Sequence, residues 1–256
     1  MPRANRHRLA GYVWHITQRC HRKQFLLKFA RDRRAWMRWL YEARKRHGLC
    51  VLDYTVTSNH VHLLVRDGAR GEIARSLQLV AGRTGQGYNE RKGRRGAFWE
   101  DRYHATAIET GEHLARCLVY IDLNMVRAGV VKHPAEWEAG GYHEIQGPSP
   151  RYRIVDRAAL ADALGLEHVS RLAVVHAAWV EAALRAGEQH RQPEWTESLA
   201  IGRREFVERI GNELGKGARH RRVEGIGEEV HVLREVSPPY GRHFGAEMEL
   251  LRSERA

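Results

Sequence analysis

Residues 50–66 restrict the fold of this chain more than any other stretch. Two runs rich in β-branched and aromatic side chains, CVLDYTVT (50–57) and HVHLLVR (60–66), meet at Ser58 and Asn59. Serine and asparagine favour tight turns because their short polar side chains bond back to the backbone. The segment therefore reads as two adjacent antiparallel strands. Upstream, GYVWHIT (11–17) alternates and is rich in the same residue types, which predicts another strand. Between them, residues 28–47 place Trp36, Trp39, Leu40 and Ala43 at helical spacing, with Arg and Lys on the other face and Gly48 as a stop.

Downstream, residues 71–90 begin as a helix and lose regularity at their glycines. A basic loop, 91–96 (RKGRRG), leads to Phe98, Trp99 and a strand over 103–109. A helix over 112–127 carries Leu114, Leu118, Ile121 and Met125 as its apolar stripe. The order is β-α-β-β-α-β-α. Its first six elements match a ferredoxin-like split βαβ unit, an antiparallel sheet with helices on one face; the last helix is an addition. The expected class is α+β. Composition shifts at GPSPRYR (147–153), which reads as a linker. We therefore expect a domain over 1–145 and an accessory region over 146–256. That region is mainly helical, with helices over 156–164, 167–186 and 197–214 and a basic loop over 215–225.

Charge narrows the partner. The 256 residues carry 43 Lys and Arg against 31 Asp and Glu, a net +12. Residues 1–50 alone hold 14 of the bases and two of the acids, so the first fifth carries the whole surplus. Such a segment points to a polyanion, most often nucleic acid. No run approaches the roughly 20 apolar residues of a membrane helix, and the basic N-terminus lacks the apolar core of a secretory signal. Cys20, Cys50 and Cys117 are widely spaced and odd in number, which argues against a disulfide framework or a CxxC zinc site. A cytoplasmic setting is expected, with no membrane partner.

Two constellations carry chemistry. On a strand, side chains two apart share a face, so His60 and His62 can meet one metal ion while Val61 faces away. On the helix, Tyr120 and Asn124 lie one turn apart, off the apolar stripe, with His113 and Arg127 beside them. A tyrosine beside an amide oxygen and a guanidinium suits attack on a phosphodiester, and Asn124 offers the ion an oxygen.

In this order the pieces resemble a REP-associated tyrosine transposase, of the HUH single-strand DNA transposase family. The resemblance rests on a PRxxR start followed by YVWHITQR (12–19), LDYTVTSNHVHLLV (52–65), FWEDRYHATAIE (98–109), YIDLNMVRAGVV (120–131) and KHPAEWEAGGYH (132–143). It covers about the first 145 residues. Two positions depart from the family pattern. Met125 stands where the family has proline after the helix asparagine, which predicts a helix that runs on. Ser58 stands where the family has proline before the turn asparagine.

The resemblance implies an enzyme, a metal-dependent transposase that nicks and joins single-stranded DNA. Mg2+ or Mn2+ would be held by His60, His62 and Asn124, and Tyr120 would form a 5′-phosphotyrosine link. The substrate would be repetitive palindromes folded as hairpins, with the protein a monomer or homodimer. Phosphate contacts are expected from Arg3, Arg6, Arg8, Arg19, Arg22 and Lys23, and from Arg91, Lys92, Arg94 and Arg95. Tyr12, Trp14 and Trp99 offer stacking surfaces, Trp14 being more often core in such a strand. The alternative is a domesticated hairpin-binding protein that no longer cuts.

Overall fold

The computed structural model describes residues 9–147, 152–187, 190, 192–218 and 220–235. The basic N-terminal positions Arg3, Arg6 and Arg8 lie outside them. The first half runs β1 (Val13–Arg19), α1 (Ala30–His47), β2 (Cys50–Val56), β3 (His60–Arg66), α2 (Glu72–Lys92), β4 (His104–Ile108), α3 (Glu112–Asp122), α4 (Asn124–Arg127) and α5 (Tyr142–Gln146). The second half runs α6 (Arg157–Ala163), α7 (Leu172–Ala186), α8 (Glu194–Glu197), β5 (Ala200–Gly202), α9 (Arg204–Leu214), β6 (Arg221–Gly225) and β7 (His231–Glu235). Among the described residues, no helix is long and apolar enough to cross a membrane.

Register decides what each sheet face holds. β1 lies between β3 and β4 and is antiparallel to both, with Thr17 opposite His62 and His104, and His15 opposite Leu64 and Thr106. Because side chains alternate, His15, Thr17, His62, His104 and Thr106 share one face. Trp14, Ile16, Leu63 and Val65 share the other, which α1 and α2 cover. Trp36 of α1 lies 6.4 Å from the ring of Tyr54, which pairs with Leu63. The added helix α3 covers the histidine face. There Thr55, paired with His62, donates to the Ile121 carbonyl at 3.2 Å.

α2 runs unbroken through Gly82, Gly85 and Gly87, where the sequence predicts lost regularity. Packing overrides propensity here. A Cβ at Gly85 would sit 3.1 Å from Phe98 Cβ, so the missing side chain admits Phe98 against the helix, whereas Gly82 is exposed and faces open space. Gly82→Ala is expected to stabilise the protein by about 1 kcal/mol through helix propensity. Gly85→Ala is expected to lose that gain, because Phe98 must shift. Urea unfolding midpoints of the two variants check this.

The helix of Tyr120 does not run straight on at Met125. It pauses at Leu123 (φ −74°, ψ 3°) and resumes as α4. The departure is small: Leu123 N–H still donates to Val119 O at 2.9 Å, and Arg127 N–H to Leu123 O at 2.9 Å. Asn124 thus stays one turn beyond Tyr120. Met125 and Val126 are buried and hold the turn in place.

Past residue 146 the helices predicted over 156–164 and 167–186 form as α6 and, from Leu172, α7, but the one predicted over 197–214 is interrupted by the strand β5 and is helical only as α9. β5 pairs parallel to β4, and β7 and β6 extend the sheet in the order β2-β3-β1-β4-β5-β7-β6. The basic segment predicted as a loop over 215–225 contains the edge strand β6. Edge strands rich in charge resist pairing with other chains, and that charge also hides them from a search for β-branched runs. The linker position near 146 does not interrupt the core. Asp122 of α3 and His176 of α7, both buried, meet at 2.7 Å, and the Gln146 amide donates to the other nitrogen of that imidazole at 2.8 Å.

Candidate active site

Four side chains from two distant stretches of the chain converge on the histidine face of the sheet. β3 presents His60 and His62, whose ring centroids lie 4.9 Å apart at 75°. α3 sets the Tyr120 ring edge-on to His62 at 5.9 Å. Asn124 opens α4, and its Nδ2 lies 2.9 Å from His62 Nε2.

The hydrogen bonds fix which imidazole nitrogens are bare. His60 Nδ1 lies 2.7 Å from Asn59 Oδ1 and 3.0 Å from Thr57 Oγ1. The amide oxygen only accepts, so Nδ1 carries the hydrogen and Nε2 keeps its lone pair. Burial pushes His60 down to about 4, with Arg19 adding to the effect. It holds His62 well below its ordinary value, helped by the neighbouring His60 and His15. Both rings are therefore neutral near pH 7, the form a metal requires.

Asn124 as it stands gives His62 Nε2 an N–H. Half a turn of the amide exchanges that N–H for Oδ1, and oxygen facing a bare nitrogen is stable only with a cation between them. Two neutral imidazoles and an amide oxygen fit a divalent ion that keeps positions open for substrate and water. Among the described residues, no three His, Cys, Asp or Glu side chains gather to hold an ion, so the asparagine would be needed.

Tyr120 is only 6 % exposed. On the sequence it lies off the apolar stripe, yet the second half of the chain covers it, with the Trp195 ring of α8 tilted against it at 6.1 Å. The Arg127 guanidinium sits 4.1 Å above the Tyr120 ring centroid and donates to the Tyr120 carbonyl. Tyr120 also lines a cleft of about 970 Å³ with His113, Arg116, Arg127, Trp179 and Trp195. His113, a histidine on the same helix as Tyr120, is seven residues earlier. That is about 10 Å of helix rise, too far to take the Tyr120 proton directly.

The basic positions divide into two groups. Exposed Arg19, Arg22 and Lys23 sit beside the turn that leads into His60: Cys20 N–H donates to Asn59 O at 2.7 Å, and Asn59 Nδ2 donates to Lys23 O at 3.2 Å. Arg91 and Lys92 belong to the end of α2 and not to a loop. Arg91 pairs with buried Asp32, and Lys92 lies over Phe29 at 5.6 Å. Arg94 donates to Ala97 O at 2.9 Å and Asn89 Oδ1 at 3.1 Å, and Arg95 is exposed. Of the aromatics, Trp14 is core, Trp99 is half-buried with its N–H on Ala81 O at 3.0 Å, and the Tyr12 hydroxyl is held by Glu213.

His15 is the residue that sequence reasoning missed. It is fully buried beside His62, with ring centroids 5.1 Å apart and nearly parallel, and burial pushes it down to about 3. Its signal was faint: it shares a strand face with Thr17 in WHIT, which gains meaning only when β3 pairs alongside.

Comparison with known proteins agrees with the resemblance seen in the motifs. The sequence pattern of the family described as "Transposase IS200 like" matches residues 10–124. No curated protein is matched. Among solved structures, the REP-associated tyrosine transposase bound to a REP hairpin is similar, with 17% sequence identity and a TM-score of 0.49 over 61% of this chain and 94% of that one.

Proposed function

With a sequence that matches IS200-like transposases over residues 10–124, this chain, we propose, nicks and rejoins single-stranded DNA folded into palindromic hairpins. The observation that carries this reading is the convergence of Tyr120, His62 and Asn124 on one sheet face, His62 and Asn124 at 2.9 Å. A hairpin binder that no longer cuts has no use for all three.

The Tyr120 hydroxyl oxygen attacks the scissile phosphorus. The O–P bond to the tyrosine forms as the bond to the 3′ oxygen breaks, leaving a 5′-phosphotyrosine and a free 3′-OH. The link conserves the energy of the phosphodiester, so a 3′-OH can reverse the attack and join strands. Arg127 places positive charge beside the phenol, where negative charge develops as the proton leaves. Trp195 keeps one side of the ring dry. Mg2+ or Mn2+ bound by His60, His62 and Asn124 would polarise a non-bridging phosphate oxygen and offset its growing charge.

Arg19, Arg22 and Lys23, at the His60 end of the sheet, are suited to holding the DNA backbone near the site. If each of Arg22 and Lys23 contacts one phosphate, replacing both with Ala is expected to reduce the slope of log K against log salt by about 2. Hairpin binding measured from low to moderate salt checks this.

The test of the function is an end-labelled hairpin-bearing strand from the flanks of the gene, incubated with Mn2+ or EDTA and resolved on a denaturing gel. A covalent adduct with Mn2+ and none with EDTA is expected. Binding with no adduct under any ion would replace the enzyme with the silent binder.

A further inference from the structure

We infer that the segment around Trp195, far beyond the transposase-like half of the chain, sets the ring tautomer of His62 through His15 and so completes the metal site. The inference rests on the metal-ligand reading of His62 given above.

The chain of donors runs in one direction. His15 Nδ1 lies 2.8 Å from the Trp195 carbonyl oxygen. A carbonyl only accepts, so His15 Nδ1 carries a hydrogen. His15 is fully buried between His62 and the Tyr120 ring, and among the described residues no carboxylate bonds to it. A second proton there would bury an unpaired charge, so His15 Nε2 is bare. That bare nitrogen lies 2.9 Å from His62 Nδ1. Two lone pairs repel, so His62 Nδ1 must carry its hydrogen and donate. His62 Nε2 is then the bare nitrogen, and it is the one that faces Asn124 at 2.9 Å.

Without the carbonyl, the two rings could carry their hydrogens in either sense. In the reversed sense His62 Nε2 is protonated and cannot bind metal. The carbonyl is itself held. Thr106 Oγ1 gives its one hydrogen to Ser198 O at 2.6 Å and lies 3.2 Å from Trp195 O, and His104 Nε2 donates to Ser198 O at 2.9 Å. β1 and β4 thus grip the backbone of residues 195–198, while the Trp195 side chain walls the nucleophile. His15 is a positioning residue: it touches a ligand of the ion and not the ion or the DNA.

The experiment uses full-length protein with 15N-labelled histidine. In the metal-free protein, the His62 signals are expected to show a protonated Nδ1 and a bare Nε2. In His15→Phe, whose ring fills the same space without an acceptor, His62 is expected to become a mixture of tautomers. Mn2+ affinity measured by electron paramagnetic resonance is expected to fall about 10- to 100-fold, the usual cost of losing an outer partner of a ligating histidine. His15→Gln, whose amide oxygen can accept from His62 Nδ1, is expected to recover most of both signals. A merely packing role for His15 would predict the reverse ranking, with Phe tolerated better than Gln. Unchanged His62 tautomer and unchanged Mn2+ affinity in His15→Phe would overturn the inference. If wild-type protein binds no Mn2+, the metal reading fails, and the nitrogen signals alone decide the relay.

Discussion

Tyr120→Phe is expected to lose the covalent DNA adduct and strand cleavage, by more than about 10³-fold, because it deletes the reacting oxygen and no neighbour can supply another. The ring contacts to His15, His62 and Trp195 need only the aromatic carbons and survive the change. The Arg127 guanidinium keeps its place over the ring and its bond to the backbone carbonyl of residue 120. Hairpin affinity should stay within about twofold, since phosphate contacts dominate it. Cleavage gels beside filter binding separate the two effects. A parallel fall in affinity would mean that Tyr120 holds DNA and does not cut it.

His62→Gln should have the second large effect, and in a different place. It removes a ligand and also ends the relay from Trp195. The loss of Mn2+ affinity should therefore exceed the roughly 10- to 100-fold expected for an outer partner. Cleavage should stay at background across the Mn2+ titration. Tyr120→Phe, in contrast, should bind Mn2+ as the wild type does while cutting nothing. The pair of variants thus divides the site into an ion-holding part and a nucleophile. Equal Mn2+ binding by His62→Gln and wild type would remove His62 from the ligand set.

The split βαβ core was legible because its strands are long and apolar and its first helix carries a clear stripe. β3 forms over the residues predicted for it, His60–Arg66. The His60–His62 pair was legible because a strand repeats every two residues, and Tyr120 with Asn124 because a helix repeats near four. β5 is three residues long and β6 is mostly charged, so neither carries the β-branched pattern that marks a strand. The unbroken course of α2 depends on Phe98 filling the space at Gly85, a contact between residues 13 apart. His15 gains its role from a strand 47 residues away and a carbonyl 180 residues away. No local pattern encodes such a relay. The burial of Tyr120 has the same origin, because Trp195 closes a side of the ring that the helix alone leaves open.

The most direct measurement is peptide mapping of the covalent adduct by mass spectrometry. Residues 117–127 (CLVYIDLNMVR) lie between Arg116 and Arg127, are bounded by tryptic sites and hold a single tyrosine. The expected result is a nucleotide joined through its 5′ phosphate to that peptide at Tyr120. A nucleotide on any other tyrosine, or cleaved strands ending in free 5′ phosphates with no protein attached, would contradict the account.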